Sequence, residues 1–138
     1  MNGRDVAVPK ETLELLKQVG TSTLAGQLYN MGFRNNSMIG IQAMAIQSGQ
    51  RAVGRARTLR FIPCREDLLE AQYESPAPPL YRSALEDIDP GDILVMDAGG
   101  SREAAVAGDL FITRVAQRGG AGVVVDGLGY TMFFLYAG

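Results

Sequence analysis

Two aspartates close apolar runs. Asp97 follows Ile93–Met96, and Asp126 follows Val123–Val125. A glycine turn comes next in both cases, with Gly99 and Gly100 after the first and Gly127 after the second. Where such runs are parallel strands of an open α/β sheet, their carboxyl ends border the ligand crevice. Two carboxylates there suit a hard cation such as Mg²⁺, which takes oxygen ligands and keeps part of its water. The plainer role is preferred for each: a short acidic side chain accepts hydrogen bonds from the amides of its own turn. Gly108, Asp109 and Leu110 interrupt a run that otherwise reads as helix. A glycine inside a helix costs about 1 kcal/mol relative to alanine. A break at that point starts a new helix, whose unpaired N–H groups form a cradle for a carboxylate or phosphate. Asp109 then stands beside the cradle as a base. The competing explanation is a glycine kept for close helix packing, and local chemistry does not choose between the two.

The residues that are missing narrow the chemistry further. There is no histidine, which removes His-based triads, His-containing zinc sites and the usual near-neutral base. Cys64 is the single cysteine, so no disulfide forms within the chain, in keeping with a reducing compartment. Arg65 beside it favours the thiolate, but with no histidine or second thiol a nucleophile role is not expected. Proton transfer is left to carboxylates, Lys10, Lys17, tyrosines, Cys64 or metal-bound water. The Gly99–Gly100 pair lacks the G-x-G-x-x-G spacing and a tightly following helix, which argues against a dinucleotide site. Arg51, Arg55, Arg57 and Arg60 crowd one segment. Charge that keeps a solvated strand edge from aggregating explains them better than an anionic partner does.

These residues need a scaffold, and the chain is long enough to supply one. Its 138 residues carry 46% hydrophobic and 20% charged side chains, the balance of a folded domain with a sizeable core. Lys plus Arg is 13 against 15 for Asp plus Glu, a formal charge of −2, which gives no basic footprint for direct nucleic-acid binding. Met1–Lys10 is polar and lacks the apolar stretch of a signal peptide. Apolar runs fall far short of the roughly 20 residues that span a bilayer. A cytoplasmic protein away from membranes is expected.

Periodicity predicts the elements. One helix runs from Glu11 to Val19, stopped by Gly20, and a second follows Thr21–Thr23, whose hydroxyls are candidate caps, and ends at Met31. Residues 33–49 read as irregular. Period-two alternation predicts a strand over Arg51–Ile62, ended by Pro63. Gly54, Ala56 and Thr58 place small residues on one of its faces, so another backbone should pack closely there. Short helices are expected at Glu66–Gln72 and Tyr81–Ile88, joined by the extended, proline-rich Ser75–Pro79. After a turn at Asp89–Asp92, the two apolar strands flank a helical run, Glu103–Arg118, closed by Gly119 and Gly120. That order is a βαβ unit with parallel strands. The chain reads as one domain, residues 1–138, with N-terminal helices at 11–32 and an α/β core at 51–138. Phe133, Phe134, Leu135 and Tyr136 cluster near the end, and a monomer would struggle to cover them, so a homo-oligomer is expected.

An ordered set of segments resembles one family. The set comprises Thr21–Leu28 with Gly32–Asn36, then Val53–Arg60, Ile88–Asp97, Ala107–Leu110 and Arg118–Gly127. It is similar to the RraA-like family, which contains the regulator of ribonuclease E activity and class II 4-hydroxy-4-methyl-2-oxoglutarate aldolases. The similarity covers most of residues 12–127. It implies a swivelling-domain-type α/β sandwich around the parallel βαβ core, assembled as trimers or hexamers. Because the family continues with further strands and helices, the chain is expected either to be shortened at its C-terminus or to lack residues after Gly127.

The resemblance also implies a chemistry: cleavage or decarboxylation of small 2-oxo acids related to pyruvate, with a divalent cation, expected to be Mg²⁺. In the family the amides of a Gly-Asp-Leu loop hold the substrate carboxylate, an Arg stabilises the enolate, and an Asp next to that Arg helps hold the metal. The loop corresponds to Gly108, Asp109, Leu110 and Phe111, with Asp109 carrying a proton through bound water. With the family's twenty residues between, the Arg-Asp pair falls on Tyr130 and Thr131, so the pair is replaced. Tyr130 offers the substrate a hydrogen bond without charge, and Thr131 is a poor substitute for a carboxylate at Mg²⁺. Asp126 remains a candidate metal ligand. Two functions follow: a metal-dependent carbon–carbon lyase, or a non-catalytic oligomeric regulator that binds an RNA-degradation enzyme.

Overall fold

The computed structural model describes residues 8–44, 49–63, 65–101, 105–127 and 130–135, with backbone alone at 42–44, 68–69, 71–72 and 130–135. Cys64, Tyr136 and the first part of the run expected to be helical, residues 103–104, lie outside the described residues. Two helices open the chain, α1 (Lys10–Lys17) and α2 (Thr21–Asn30), followed by the short strand β1 (Gln42–Met44) and by β2 (Ala56–Arg60). Then come α3 (Glu66–Glu74), α4 (Leu80–Glu86), β3 (Ile93–Asp97), α5 (Asp109–Gln117), β4 (Gly122–Gly127) and β5 (Tyr130–Leu135). The strands form a sheet in the order β1-β5-β4-β3-β2.

The expected βαβ unit is present. β3 and β4 pair in parallel, from Ile93 opposite Gly122 to Asp97 opposite Asp126, and α5 connects them. β2 adds to β3 in parallel, with Arg60 opposite Asp97. On one face Leu94, Met96, Val123 and Val125 bury against Leu85, Ile88 and Val115, and Leu59, Phe61 and Phe111 complete the cluster. Arg114 clamps α5 to α4 by donating from Nε and Nη2 to the two carboxylate oxygens of Glu86 at 2.9 and 2.6 Å. α5 stops at Gly119, whose φ of +79° is the left-handed conformation a helix end favours for glycine. On the opposite face Val95 and Val124 floor a cavity of about 300 Å³, walled by Met38, Ile39 and Ile41.

Several expectations need correction. The strand expected over residues 51–62 is paired only at 56–60, because β3 offers five residues in register. Residues 33–49 are not wholly irregular: β1 pairs in parallel with β5, a long-range partnership that no local pattern announces. Thr21 begins α2 instead of capping it, with Gly20 at the cap position and no side-chain cap. Phe133, Phe134 and Leu135, read as an apolar cluster, belong to β5, which runs antiparallel to β4 and beside β1.

The arginines between residues 51 and 60 are paired rather than free charge. Arg57 donates to Asp92 and Asp89, each at 2.7 Å, and Arg55 donates to the same two aspartates. Arg60 pairs with Asp97, and Arg51 donates to the Lys17 carbonyl. β2 is an edge strand, as expected, but its charge ties it to β3. Exposed apolar side chains among the described residues include Met31, Phe33, Met38 and Ile39, beyond α2, and Leu110 on α5.

Candidate functional site

The βαβ unit brings the chemistry-bearing residues to one edge of the sheet. Arg60, Asp97 and Asp126 are register partners across β2, β3 and β4, near their carboxyl ends. Asp97 serves its own turn: Oδ1 accepts the Gly99 N–H at 2.9 Å. Oδ2 accepts Arg60 Nε at 2.7 Å. The Gly99 amide, then the Arg60 guanidinium, hold this carboxyl below the ordinary carboxylate range. Asp126 sits against the neighbouring glycine turn. Its Oδ1 lies 3.8 Å from the point where a Gly100 side chain would begin, and its carbonyl accepts the Ala98 N–H at 2.9 Å. Both aspartates line the 300 Å³ cavity.

Gly108 ends an extended segment (φ −110°, ψ 173°), and α5 starts at Asp109. The run expected to be helical from 103 to 118 is therefore helical from 109 to 117, and residues 105–108 are not helical. The first helical bond runs from Ile112 N–H to the Gly108 carbonyl at 3.1 Å. The N–H groups of Asp109, Leu110 and Phe111 have no acceptor among the described residues. No side chain caps this end. The Phe111 ring packs into the core cluster and lies 6.5 Å from the Tyr81 ring, which anchors the first turn. Asp109 is exposed, and Leu110 is 88% exposed. A Cβ added to Gly108 would meet nothing within 4 Å, and its φ is one any residue adopts. Among the described residues, close packing therefore does not explain this glycine.

The loop before α5 is seated on the end of β4. A Cβ on Gly127 would stand 3.3 Å from Val106 Cγ2, 3.4 Å from Ala98 Cβ and 3.8 Å from the Ser101 carbonyl oxygen. Gly127 pairs in turn with Tyr130, and Asp126 with Thr131, across the β4–β5 ladder. The backbone at the two positions of the replaced pair thus borders the sheet end on which the loop rests. Among the described residues no group of three or more carboxylates or thiols assembles to hold a metal ion. Asp97 is engaged by Arg60, and no third carboxylate joins Asp97 and Asp126 among the described residues, so these residues do not by themselves fit a Mg²⁺ site. Sequence reasoning missed the Arg60–Asp97 pair. Both residues end strands, but only the β2–β3 register makes them neighbours. It also missed Met38, Ile39 and Ile41, which come from the segment read as irregular.

Comparisons with known proteins follow the same outline. The RraA-like family (Aldolase/RraA) matches residues 21–129. A similar solved structure is Streptomyces coelicolor RraAS2, described as an unusual member of the RNase ES inhibitor RraA protein family. It is 30% identical with a TM-score of 0.71, and the match covers 93% of this chain and 63% of that one. An uncharacterized protein from Pseudomonas syringae pv. tomato str. DC3000 shares the fold at 18% identity and a TM-score of 0.70, covering 99% of this chain and 63% of that one. The chain spans less than two thirds of either solved chain. No curated protein matches it. With the family match reaching from α2 past the end of β4, over the loop and both aspartates, the chain belongs to the RraA-like family.

Proposed function

We propose that this chain binds a small 2-oxo acid at the start of α5 and acts on it as a carbon–carbon lyase of low intrinsic activity. The observation that carries the reading is the open N-terminus of α5. Among the described residues three amides there lack acceptors, and the adjoining Gly108 meets no packing or conformational demand for glycine. Helix N-termini favour anions through these N–H groups and the helix dipole. The amides of Leu110 and Phe111 hold the substrate carboxylate, and Asp109, exposed in the first turn, passes a proton through bound water. Cleavage leaves an enolate of pyruvate, which needs charge or donors as it forms. Tyr130 supplies one donor in place of an arginine. A missing donor of this kind costs about 3–4 kcal/mol of barrier, so slow turnover is expected. The family's dependence on a divalent cation makes Mg²⁺ part of the test. Pyruvate release from oxaloacetate, with and without Mg²⁺, in the unaltered protein and in Asp109→Ala decides the matter. Release that ignores the Asp109 substitution places the chemistry elsewhere.

A second reading has its own support. Tyr130 and Thr131 stand in place of the catalytic pair, and the relative at 30% identity carries the description of an RNase ES inhibitor family member. On this reading the protein is a homo-oligomeric regulator that binds an RNA-degrading enzyme through its surface. Absence of any pyruvate release, together with binding to such an enzyme, would favour it.

A further inference from the structure

We propose that Asp97, held by Arg60, is a positioning residue that sets the geometry of the amide cradle at the start of α5; this rests on the reading of that cradle as the 2-oxo acid site. Asp97 is the last residue of β3, where the chain leaves the sheet for the loop. Its carboxylate makes the loop's first turn by accepting the Gly99 N–H, and it fastens that turn to β2 through Arg60. The backbone repeats the attachment on both sides. Phe61 N–H donates to the Asp97 carbonyl at 2.8 Å, and Ala98 N–H donates to the Asp126 carbonyl at 2.9 Å. Gly99 and Gly100 are both left-handed, with φ of +60° and +67°, and the Asp97 carboxylate bonds the first of them.

The two described flanks of the loop meet at a single point. Ala98 and Ser101 from the first flank and Val106 from the second all close on Gly127. Val106 is two residues from Gly108, where the cradle begins. The turn that Asp97 organises is thus one wall of the seat on which the cradle's leading segment rests. The pair is exposed, with the Arg60 side chain 77% and the Asp97 side chain 40% accessible. Exposed pairs contribute little to global stability. What this one fixes is placement, and a small misplacement of binding groups costs up to about a hundredfold in rate.

The test uses the whole chain, with oxalate as a planar stand-in for the enolate of pyruvate. Asp97→Asn and Arg60→Gln should weaken oxalate binding in calorimetry by about ten- to a hundredfold. Both should keep the melting temperature within about 2 °C, and Arg60→Lys should recover much of the affinity. Amide hydrogen exchange should quicken in Asp97→Asn at 98–101 and also at 105–110, without ligand. Unchanged oxalate affinity, or a loss that merely follows a fall in melting temperature, overturns the proposal. So does faster exchange confined to 98–101. If the unaltered protein binds no oxalate, with or without Mg²⁺, the 2-oxo acid reading itself fails. The exchange result then still decides whether Asp97 controls the start of α5.

Discussion

A side chain on Gly54 would overlap the carbonyl oxygen of Gly91 and crowd Ile93 Cγ1 at 3.1 Å. The backbone leading into β2 lies directly on the turn that leads into β3. Of the small-residue face read from the sequence, Gly54 meets the close neighbour expected there, whereas Ala56 and Thr58 are exposed and nothing covers them among the described residues.

Gly54→Ala should therefore destabilise the fold by about 2–3 kcal/mol, because the clash is with backbone that a neighbouring side chain cannot relieve. Urea unfolding measures it, with Gly26→Ala as the comparison. A Cβ at Gly26 meets nothing within 4 Å, and alanine is the better helix residue.

Asp92 makes stability depend on acid. It is 4% exposed; burial pushes its carboxyl up, but hydrogen bonds from Arg57, the Asp89 amide and Arg55 outweigh burial and hold it below the ordinary value. A carboxyl depressed in the folded state contributes stability above its unfolded pKa of about 3.9 and loses it as pH falls through the folded value. Asp92→Asn should cost about 2–3 kcal/mol at pH 7, since it leaves Arg55 and Arg57 without their buried partner. Its urea midpoint should then fall less steeply than that of the unaltered protein between pH 5 and 3.

Gly108→Ala separates fold from function. Its Cβ enters open space at an ordinary φ, so the melting temperature should stay the same or rise slightly. If the amides that follow hold a carboxylate, the added methyl group stands where the ligand approaches, and oxalate affinity should drop about tenfold or more. Calorimetry and thermal melting on the same samples check both halves.

Tyr130→Arg with Thr131→Asp should raise Mg²⁺-dependent pyruvate release, by an amount approaching the 10²–10³-fold associated with a restored donor. The two positions pair with Gly127 and Asp126, at the end of β4 where the loop is seated. Arginine brings charge to the enolate, and aspartate a hard oxygen ligand. Steady-state release by the unaltered chain, the double variant and Asp109→Ala is the measurement.

Assembly is the last expectation. Ile39 is 96% exposed, and Met31, Phe33 and Met38 are exposed near it in sequence. Such apolar surface favours contact between copies. Light scattering at micromolar concentration should give a multiple of the 14.8 kDa chain mass, with three copies the family expectation. Ile39→Asp should lower that mass.

The sequence by itself determined the parts whose cause is local. Val123–Val125 and Ile93–Met96 are continuous apolar runs, so they had to be buried strands, and the helical stretch between them made their pairing parallel. Period two put Gly54, Ala56 and Thr58 on one face, which signalled the close approach met at Gly54 but not the exposure of Ala56 and Thr58. The ordered motifs named the family, which the match over residues 21–129 shows. Tertiary structure decided what depends on partners distant in the chain. β1 forms because β5 lies beside it, and β2 is cut to five residues by the length of β3. Arg55, Arg57 and Arg60, which read as solvated charge, became ties, because register set Arg60 opposite Asp97 and turn geometry placed Asp89 and Asp92 under Arg55 and Arg57. For Gly108, local chemistry left packing and cradle equally open. Only the folded neighbourhood shows that, among the described residues, nothing stands within 4 Å of a Cβ at that position.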